Sequence, residues 1–340
     1  MNLKQLAQQL GLSQTTVSRA LNGYPEVSER TRRRVQEAAA EFSYTPSRHA
    51  QLLATGRSRA IGHVVPLTRH SVMTPYFSDF IAGAGEVYAQ YGFDMLISVV
   101  PEAEEENHYR TMAASNRVEG LIVHGPKTNE SRIGLLKALD IPFLVHGRAD
   151  NPSDGYLWMD IDNKRSFERV TNFLTDLGHR RIALLNGVEE WNFASRRRTG
   201  YIEALHQNNI EIDPTIMFSD DMIEPHGYSR TCQLLEMDER PTAIITSSVL
   251  LAMGVLRALN EFGLRAGKEI SIVAHDDQLS FLHRPGDVPF FTSTRSSINK
   301  AGRRCAELLI DYVKSPGNPP ESELWETELV VGSSTGPAPG

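Results

Sequence analysis

The 340-residue chain has no apolar run near the roughly 20 residues that a membrane span requires. No basic-then-apolar leader opens it, because a helical pattern starts at Leu3. The expectation is a cytoplasmic protein without a membrane partner. Cysteine is scarce. Cys232 and Cys305 lie far apart without CxxC spacing, which argues against a disulfide framework or zinc knuckle and predicts two reduced, mostly buried thiols. The eleven histidines show no HExxH spacing. No GxGxxG follows the strand pattern at Ile61, and no GxxxxGK[ST] loop occurs. Gly332-Ser333-Ser334-Thr335-Gly336 fits GxSxG, but it follows a terminal strand pattern and precedes no helix, so it is no nucleophile elbow. His275-Asp276-Asp277 has metal-compatible atoms, yet neighbours on an extended strand point to opposite faces. No catalytic residue, metal site or cofactor is therefore assigned, and an enzyme is disfavoured.

Basic residues are in deficit overall, with a net charge of -7. The deficit is uneven. Residues 1–60 carry a balance of +5, and the remaining 280 carry -12. A basic head on an acidic body suits a nucleic-acid reader joined to a separate sensor, the acidic body discouraging non-specific contact with DNA.

The head contains the most specific pattern. Residues 3–10 read as a short helix, Gly11-Leu12-Ser13 as a turn, and residues 14–22 as a second helix. Two helices crossing steeply need a small residue at the crossing, here Ala7. The turn needs a residue that accepts positive φ, here Gly11, and the second helix needs an apolar anchor, here Val17. A third helix is expected over about 28–42, capped by Ser28, with Val35, Ala38, Ala39 and Phe42 as its buried stripe. Tyr44-Thr45-Pro46 would stop it. Residues 47–54 can form one more short helix before a linker at 55–58.

From Arg59 strand-like and helical patterns alternate. Strands are expected at 61–65, 95–100, 120–123, 143–145, 181–185, 243–246 and 270–274. Helices are expected near 77–91, 104–116, 130–139, 163–178, 195–208, 226–236, 249–262 and 297–313. The fold class is thus α/β: a small all-α head plus a two-lobed body with parallel sheets, whose ligands belong at the carboxyl ends of the strands. The expected domains are 1–46 (head), 47–58 (hinge helix and linker), 59–331 (two-lobed effector-binding and dimerisation domain) and a disordered tail, 332–340.

Leu6-Ala7 through Asn22-Gly23, Val27-Ser28-Glu29-Arg30-Thr31-Arg32 and Tyr44-Thr45-Pro46-Ser47-Arg48 closely resemble the lactose/galactose repressor (LacI/GalR) family. Asp162-Asn163, the run from Leu177 to Ala183, Gly200-Tyr201, Ile270-Ser271-Ile272-Val273 with Asp276, and Glu328-Leu329-Val330-Val331 extend the likeness over nearly the whole chain. Within the family it looks most like regulators of alpha-glucoside use. The resemblance implies that Gln14 and Thr15 face base edges and that Arg19 reaches a base or phosphate. Glutamine can pair bidentately with adenine. It places Thr16, Ser18, Asn22, Ser28 and Thr31 at phosphates, which set position rather than sequence. Leu3, Arg48 and Ala50 join the DNA-facing set. Leu53 would wedge into the minor groove beside the partner subunit's copy; packing on the third helix is its other role. A helical pair that binds protein is the alternative to a DNA reader.

For a small effector held between the lobes, the resemblance points to Arg197 and Asp276. Forked guanidinium donors suit vicinal hydroxyls or a carboxylate, and a carboxylate accepts from hydroxyls. Arg197 can equally be a solvated member of an arginine run, and Asp276 a turn residue. Trp191 offers a stacking face for a pyranose, or interdomain packing. Tyr76 and Phe77 can line the cleft; Arg148 and Asn163 lie near the crossover, where loop hydrogen bonding is the other reading. An Asn-Asp pair common in the family is replaced around Ser247-Ser248, leaving Ser248 to meet a hydroxyl. Gly332 stands where the family often has arginine.

The reading is a homodimeric transcriptional regulator of carbohydrate use. It would bind a pseudo-palindromic operator in double-stranded DNA, with a sugar as its releasing effector. An activator or corepressor-type regulator responding to a non-sugar metabolite is the alternative. No leucine heptad follows residue 320, and Pro316, Pro319 and Pro320 oppose one, so a zipper tetramer is not expected.

Overall fold

A computed structural model describes residues 1–44, 57–67, 75–150, 155–276, 278–282 and 289–340. The expected hinge helix, with Arg48, Ala50 and Leu53, lies outside the described residues, as do Thr45 and Pro46. The chain forms two compact units, Met1–Ser58 and Arg59–Gly340.

The first unit is a three-helix head. Helix α1 spans Leu3–Leu10, α2 Gln14–Leu21 and α3 Glu29–Glu41. Asn2 and Gln5 form a reciprocal capping box on α1, and Gly11 ends it in the left-handed conformation at φ 61°. Ser13 caps α2 through the Thr16 amide, and Ser28 caps α3 through the Thr31 amide. Leu6, Ala7, Val17, Ala20, Val35, Ala38 and Ala39 close the core. Arg34 donates to the Leu10 carbonyl at 2.8 Å, meeting an acceptor that the end of α1 would otherwise leave to solvent. Phe42 departs from the expected stripe: it is 36% exposed, because α3 ends at Glu41 and Phe42 is its C-cap.

The second unit consists of two α/β lobes. In the first, strands β1 (Ala60–Leu67), β2 (Asp94–Pro101), β3 (Gly120–His124), β4 (Phe143–His146), β5 (Leu157–Ile161) and β11 (Glu323–Trp325) form one sheet, ordered β11-β5-β4-β3-β1-β2. All its pairings are parallel. In the second, β6 (Ile182–Asn186), β7 (Met217–Ser219), β8 (Ala243–Thr246), β9 (Ser271–Asp276), β10 (Thr292–Arg295) and β12 (Glu328–Val330) are ordered β12-β10-β9-β8-β6-β7. Only β12 runs antiparallel to its neighbour.

Helices cover both faces of each sheet, so most strands read as continuous apolar runs rather than alternations. In lobe one, α4 (Pro75–Tyr91) and α11 (Ile298–Lys314) cover one face, and α5 (Glu105–Ala114) with α6 (Arg132–Ala138) the other. In lobe two, α7 (Asn163–Asp176) and α8 (Asn192–Gln207) lie opposite α9 (Glu224–Leu235) and α10 (Val249–Glu261). The chain passes between lobes after β5, after β10 and after β11, so neither lobe is one continuous segment. Helices α4 and α11 cross so closely that a Cβ on Gly302 would sit 2.1 Å from the Phe80 carbonyl oxygen, and one on Gly83 2.1 Å from that of Asn299.

The tail is not disordered, as its composition suggested. Ser334 is fully buried, donating to the Ile272 carbonyl at 2.6 Å and accepting from the Thr292 amide at 2.9 Å. Gly336 donates to Ser271 and accepts from His179, and the Ala338 amide reaches the Leu177 carbonyl. The small residues here permit close backbone approach: a Cβ on Gly336 would lie 2.3 Å from the Gly267 carbonyl oxygen.

Gly302→Ala should lower unfolding stability by about 1–3 kcal/mol, since a backbone carbonyl at the crossing cannot swing aside. Urea unfolding followed by circular dichroism checks this; an unchanged midpoint would show that the helices part without cost.

Candidate functional site

In the head, Gln14 and Thr15 are exposed on the first turn of α2, and Arg19 is exposed one turn later. Thr16 Oγ1 lies 2.8 Å from Ser13 Oγ, and Ser28 Oγ 2.9 Å from Thr31 Oγ1. Asn22 Nδ2 donates to the Ser18 carbonyl at 2.9 Å. Each hydroxyl retains hydrogen-bonding capacity beyond these local contacts. Leu3 is half-buried, its side chain packing against the head core beside Leu6.

In the body, a cavity of about 450 Å³ lies where the carboxyl ends of the two sheets meet. Both sheets reverse strand order there, between β1 and β3 and between β6 and β8. Lobe one contributes Val64, Val65 and Pro66 near the end of β1, Tyr76, Phe77 and Phe80 of α4, His124 and His146 at the ends of β3 and β4, and Lys127 beyond β3. Lobe two contributes Val188, Glu190, Trp191 and Phe193 after β6, and Asp220 to Ile223 after β7. The walls are mainly aromatic and aliphatic, with carboxylates at several points.

The expected residues divide between wall and support. Tyr76, Phe77 and Trp191 line the cavity. Arg148, Asn163, Arg197, Ser248 and Asp276 are absent from its lining. Arg197 is only 4% exposed, its guanidinium between the rings of Phe167 and Phe193. Its Nε donates to Asn163 Oδ1 at 2.7 Å and its Nη1 to the Ser247 carbonyl at 2.7 Å. Asn163 Nδ2 faces Asp160 Oδ1 at 3.5 Å, and Arg148 Nε donates to Asp160 Oδ2 at 3.2 Å. These residues form a polar chain between lobes. Ser248 is fully buried and caps α10 by accepting from the Leu251 amide. Asp276 accepts from the Gln278 amide and pairs with Arg295.

Arg196, absent from the expected set, is the other bridge. Its Nη1 donates to the Arg148 carbonyl at 2.7 Å and its Nη2 to the Ala149 carbonyl at 2.9 Å, and Asp160 lies at 3.4 Å. Burial raises the pKa of Asp160 to about 6 despite the opposing pull of Arg196 and Arg148. At the cavity mouth the segments around Lys127 and Trp191 pair as an antiparallel bridge. Lys127 Nζ holds Glu102 at 2.5 Å and Glu190 at 2.9 Å. Burial disfavours its charge, but the hydrogen bonds to Glu102 and Glu190 outweigh that and raise its pKa. Ser280 donates to Asp79 of α4 through both its amide and its hydroxyl, a further tie between lobes.

His124 and His146 were also missed. An apolar strand run ending in histidine, Gly120–His124 and Phe143–His146, was the available signal. His63 lies behind them, with Nδ1 3.0 Å from His124 Nε2 and Nε2 3.0 Å from the Tyr88 hydroxyl. Burial lowers the His63 pKa to about 3. Burial first, then the neighbouring His63, His146 and Arg132, holds His124 well below the usual histidine range. Among the described residues no helix is long and apolar enough to cross a membrane.

A helix–turn–helix with an open recognition face, on a chain whose body encloses a cavity between two α/β lobes, defines a DNA-binding regulator with a ligand-sensing module. Residues 2–47 match the model of bacterial regulatory proteins of the lacI family, and residues 171–335 match the periplasmic binding protein-like domain. Over 338 residues the chain is 44% identical to the HTH-type transcriptional regulator AglR of Rhizobium meliloti (strain 1021), covering 99% of this chain and 95% of that one. It superposes on the Lac repressor dimer bound to operator and the anti-inducer ONPF with a TM-score of 0.84 at 26% identity, covering 99% of each chain. The CelR–cellobiose complex gives a TM-score of 0.71 at 26% identity, over 98% of this chain and 99% of that one. The chain belongs to the LacI family of bacterial transcriptional regulators.

His63 supplies a pH test. Its folded pKa lies below its unfolded value near 6.5, so the unfolded chain binds the extra proton. Its contribution is present above pH 6.5 and is lost as pH falls from there toward 3. Between pH 7 and pH 5 this should remove about 2 kcal/mol. Urea unfolding at the two pH values should show a smaller loss in His63→Gln; an equal loss would assign the effect elsewhere.

Proposed function

We propose that this regulator represses carbohydrate-utilisation genes in the cytoplasm. It would bind a pseudo-palindromic operator as a homodimer and leave it when a neutral saccharide fills the interlobe cavity. The observation that carries the reading is the cavity wall. Trp191, Tyr76, Phe77 and Phe193 provide ring faces suited to the apolar side of a pyranose, and Glu102, Glu190, Asp220 and Asp221 provide acceptors for hydroxyls. AglR is a transcriptional regulator, and CelR is seen with cellobiose. The cellobiose complex supports a glucoside over other metabolites, and the regulators among the relatives support a non-enzymatic role.

The Lac repressor is seen as a dimer on its operator, which supports the same assembly here. Gln14, Thr15 and Arg19 read bases from the open face of α2. Thr16, Ser18, Asn22, Ser28 and Thr31 hold phosphates, with Arg48, Ala50 and Leu53 completing the contact by family likeness. The Arg148–Asp160–Asn163–Arg197 chain senses lobe closure rather than touching sugar, since none of its members lines the cavity.

Two measurements test this. A thermal-shift screen of methyl α-glucoside, sucrose, trehalose and cellobiose should find at least one ligand that stabilises the chain by about 2.7 kcal/mol at 100 times its Kd. Trp191→Ala should abolish most of that shift; a full shift in the variant would place the sugar elsewhere. On a duplex selected from a random pool by the full chain, Gln14→Ala should cost about 1–3 kcal/mol of discrimination at one base pair. Unchanged sequence preference would remove Gln14 from base reading.

A further inference from the structure

The cavity is rich in groups that can only accept. Glu102, Glu190, Asp220 and Asp221 carry carboxylates, which accept hydrogen bonds and donate none. Lys127, the cation on the wall, is already held by Glu102 and Glu190. A saccharide also has ring and glycosidic oxygens, which carry no hydrogen and need a donor from the protein.

The buried row behind the wall supplies one. Tyr88 is 1% exposed, and its hydroxyl has a single hydrogen-bond partner among the described residues, His63 Nε2 at 3.0 Å. The nearby Cys305 thiol makes no hydrogen bond to it among those residues. If His63 donated to Tyr88, the phenolic proton would be left in the core without an acceptor, an arrangement that buried hydroxyls avoid. Tyr88 is therefore the donor. His63 Nε2 accepts, so the neutral ring carries its proton on Nδ1 and donates to His124 Nε2 at 3.0 Å. His124 in turn must carry its own proton on Nδ1. No hydrogen-bond partner meets that nitrogen among the described residues, and His124 lines the cavity, with the rings of Phe77 and Phe80 set edge-on against it. Burial keeps both imidazoles neutral, so the row does not reverse by taking up a second proton.

We propose that His124 is a ligand-contacting specificity residue. It donates its Nδ1–H to a ring or glycosidic oxygen of the bound saccharide, in a tautomer set from behind by His63 and Tyr88. The role rests on the saccharide reading of the cavity. It favours sugars that bring an ether oxygen to the lobe-one wall.

The test uses the full chain labelled with ¹⁵N-histidine. Long-range ¹H–¹⁵N spectra, assigned with His63→Gln and His124→Gln, should show the Nδ1–H tautomer at both residues. An Nε2–H tautomer at His124 overturns the proposal. Methyl α-glucoside, sucrose, trehalose and cellobiose are then titrated, following Trp fluorescence and the His124 resonance together. His124→Asn keeps an amide donor near the Nδ1 position and should hold the affinity within about threefold, whereas His124→Gln moves the amide to the ε position and should weaken binding about tenfold. Equal losses would mark a structural role and overturn the proposal. A sugar whose binding needs Trp191 but leaves the His124 resonance unmoved overturns the donor role alone. If none of the four sugars moves either signal, the saccharide reading falls and the donor role with it.

Discussion

The buried carboxylate of Asp160 ties the two lobes together where the chain first crosses between them. It is 5% exposed at the end of β5, and it receives Arg148 from its own lobe and Arg196 from the other. Burying a carboxylate is costly unless it is paired and hydrogen-bonded. Its rise toward pH 6 shows that cost, and the two guanidiniums with the Ile161 amide offset it. Removing either arginine would leave charge uncompensated in the seam. The pairing therefore holds the lobes in one relation, and Asn163, Arg197 and the Ser247 carbonyl carry the same polar chain into lobe two.

This constraint explains why the cavity wall and the polar seam are made of different residues. Groups that hold lobes must be fully bonded within the protein, whereas groups that meet a ligand must present unspent surface. Arg197 sits between two rings and bonds protein acceptors, so it belongs to the first set; Trp191 and Phe77 belong to the second. Phe193 belongs to both, since it lines the cavity and covers the Arg197 guanidinium. A ligand pressing on that ring would act on the seam directly. The bridge at Lys127 and Trp191 gives a second route, because a wall residue and an interlobe strand pair share the same backbone.

The head was legible in the sequence because its logic is local. Positive φ at Gly11, the small Ala7, the anchor Val17 and the cap Ser28 each lie within a turn or two of what they control. The helices and the longer apolar strands of the body were legible for the same reason, whereas β5, β7, β10 and β11, short or rich in polar residues, gave no such run. The site was less so, because its wall is gathered from the ends of strands far apart in sequence. Which of Arg196, Arg197 and Arg198 faces the seam depends on the rotation of α8 about its axis, which spacing alone does not fix. Ser248 carried a readable signal, a serine just before an apolar helical run, and capping took its hydroxyl. The tail misled because glycine and serine suggest flexibility, while here they allow backbone to pack on backbone beside Gly267 and Ser271.

The central claim is that the cavity and the DNA-reading face are coupled through one equilibrium. Linkage then requires reciprocity: a saccharide that weakens operator binding by some factor must itself bind more weakly, by the same factor, when operator is present. The direct measurement is the saccharide Kd by calorimetry on the full chain, with and without a saturating selected duplex. It is set beside the operator Kd with and without saturating saccharide. The account predicts equal factors between about 5 and 150, corresponding to roughly 1–3 kcal/mol of coupling. A saccharide Kd that is the same with and without operator would contradict it.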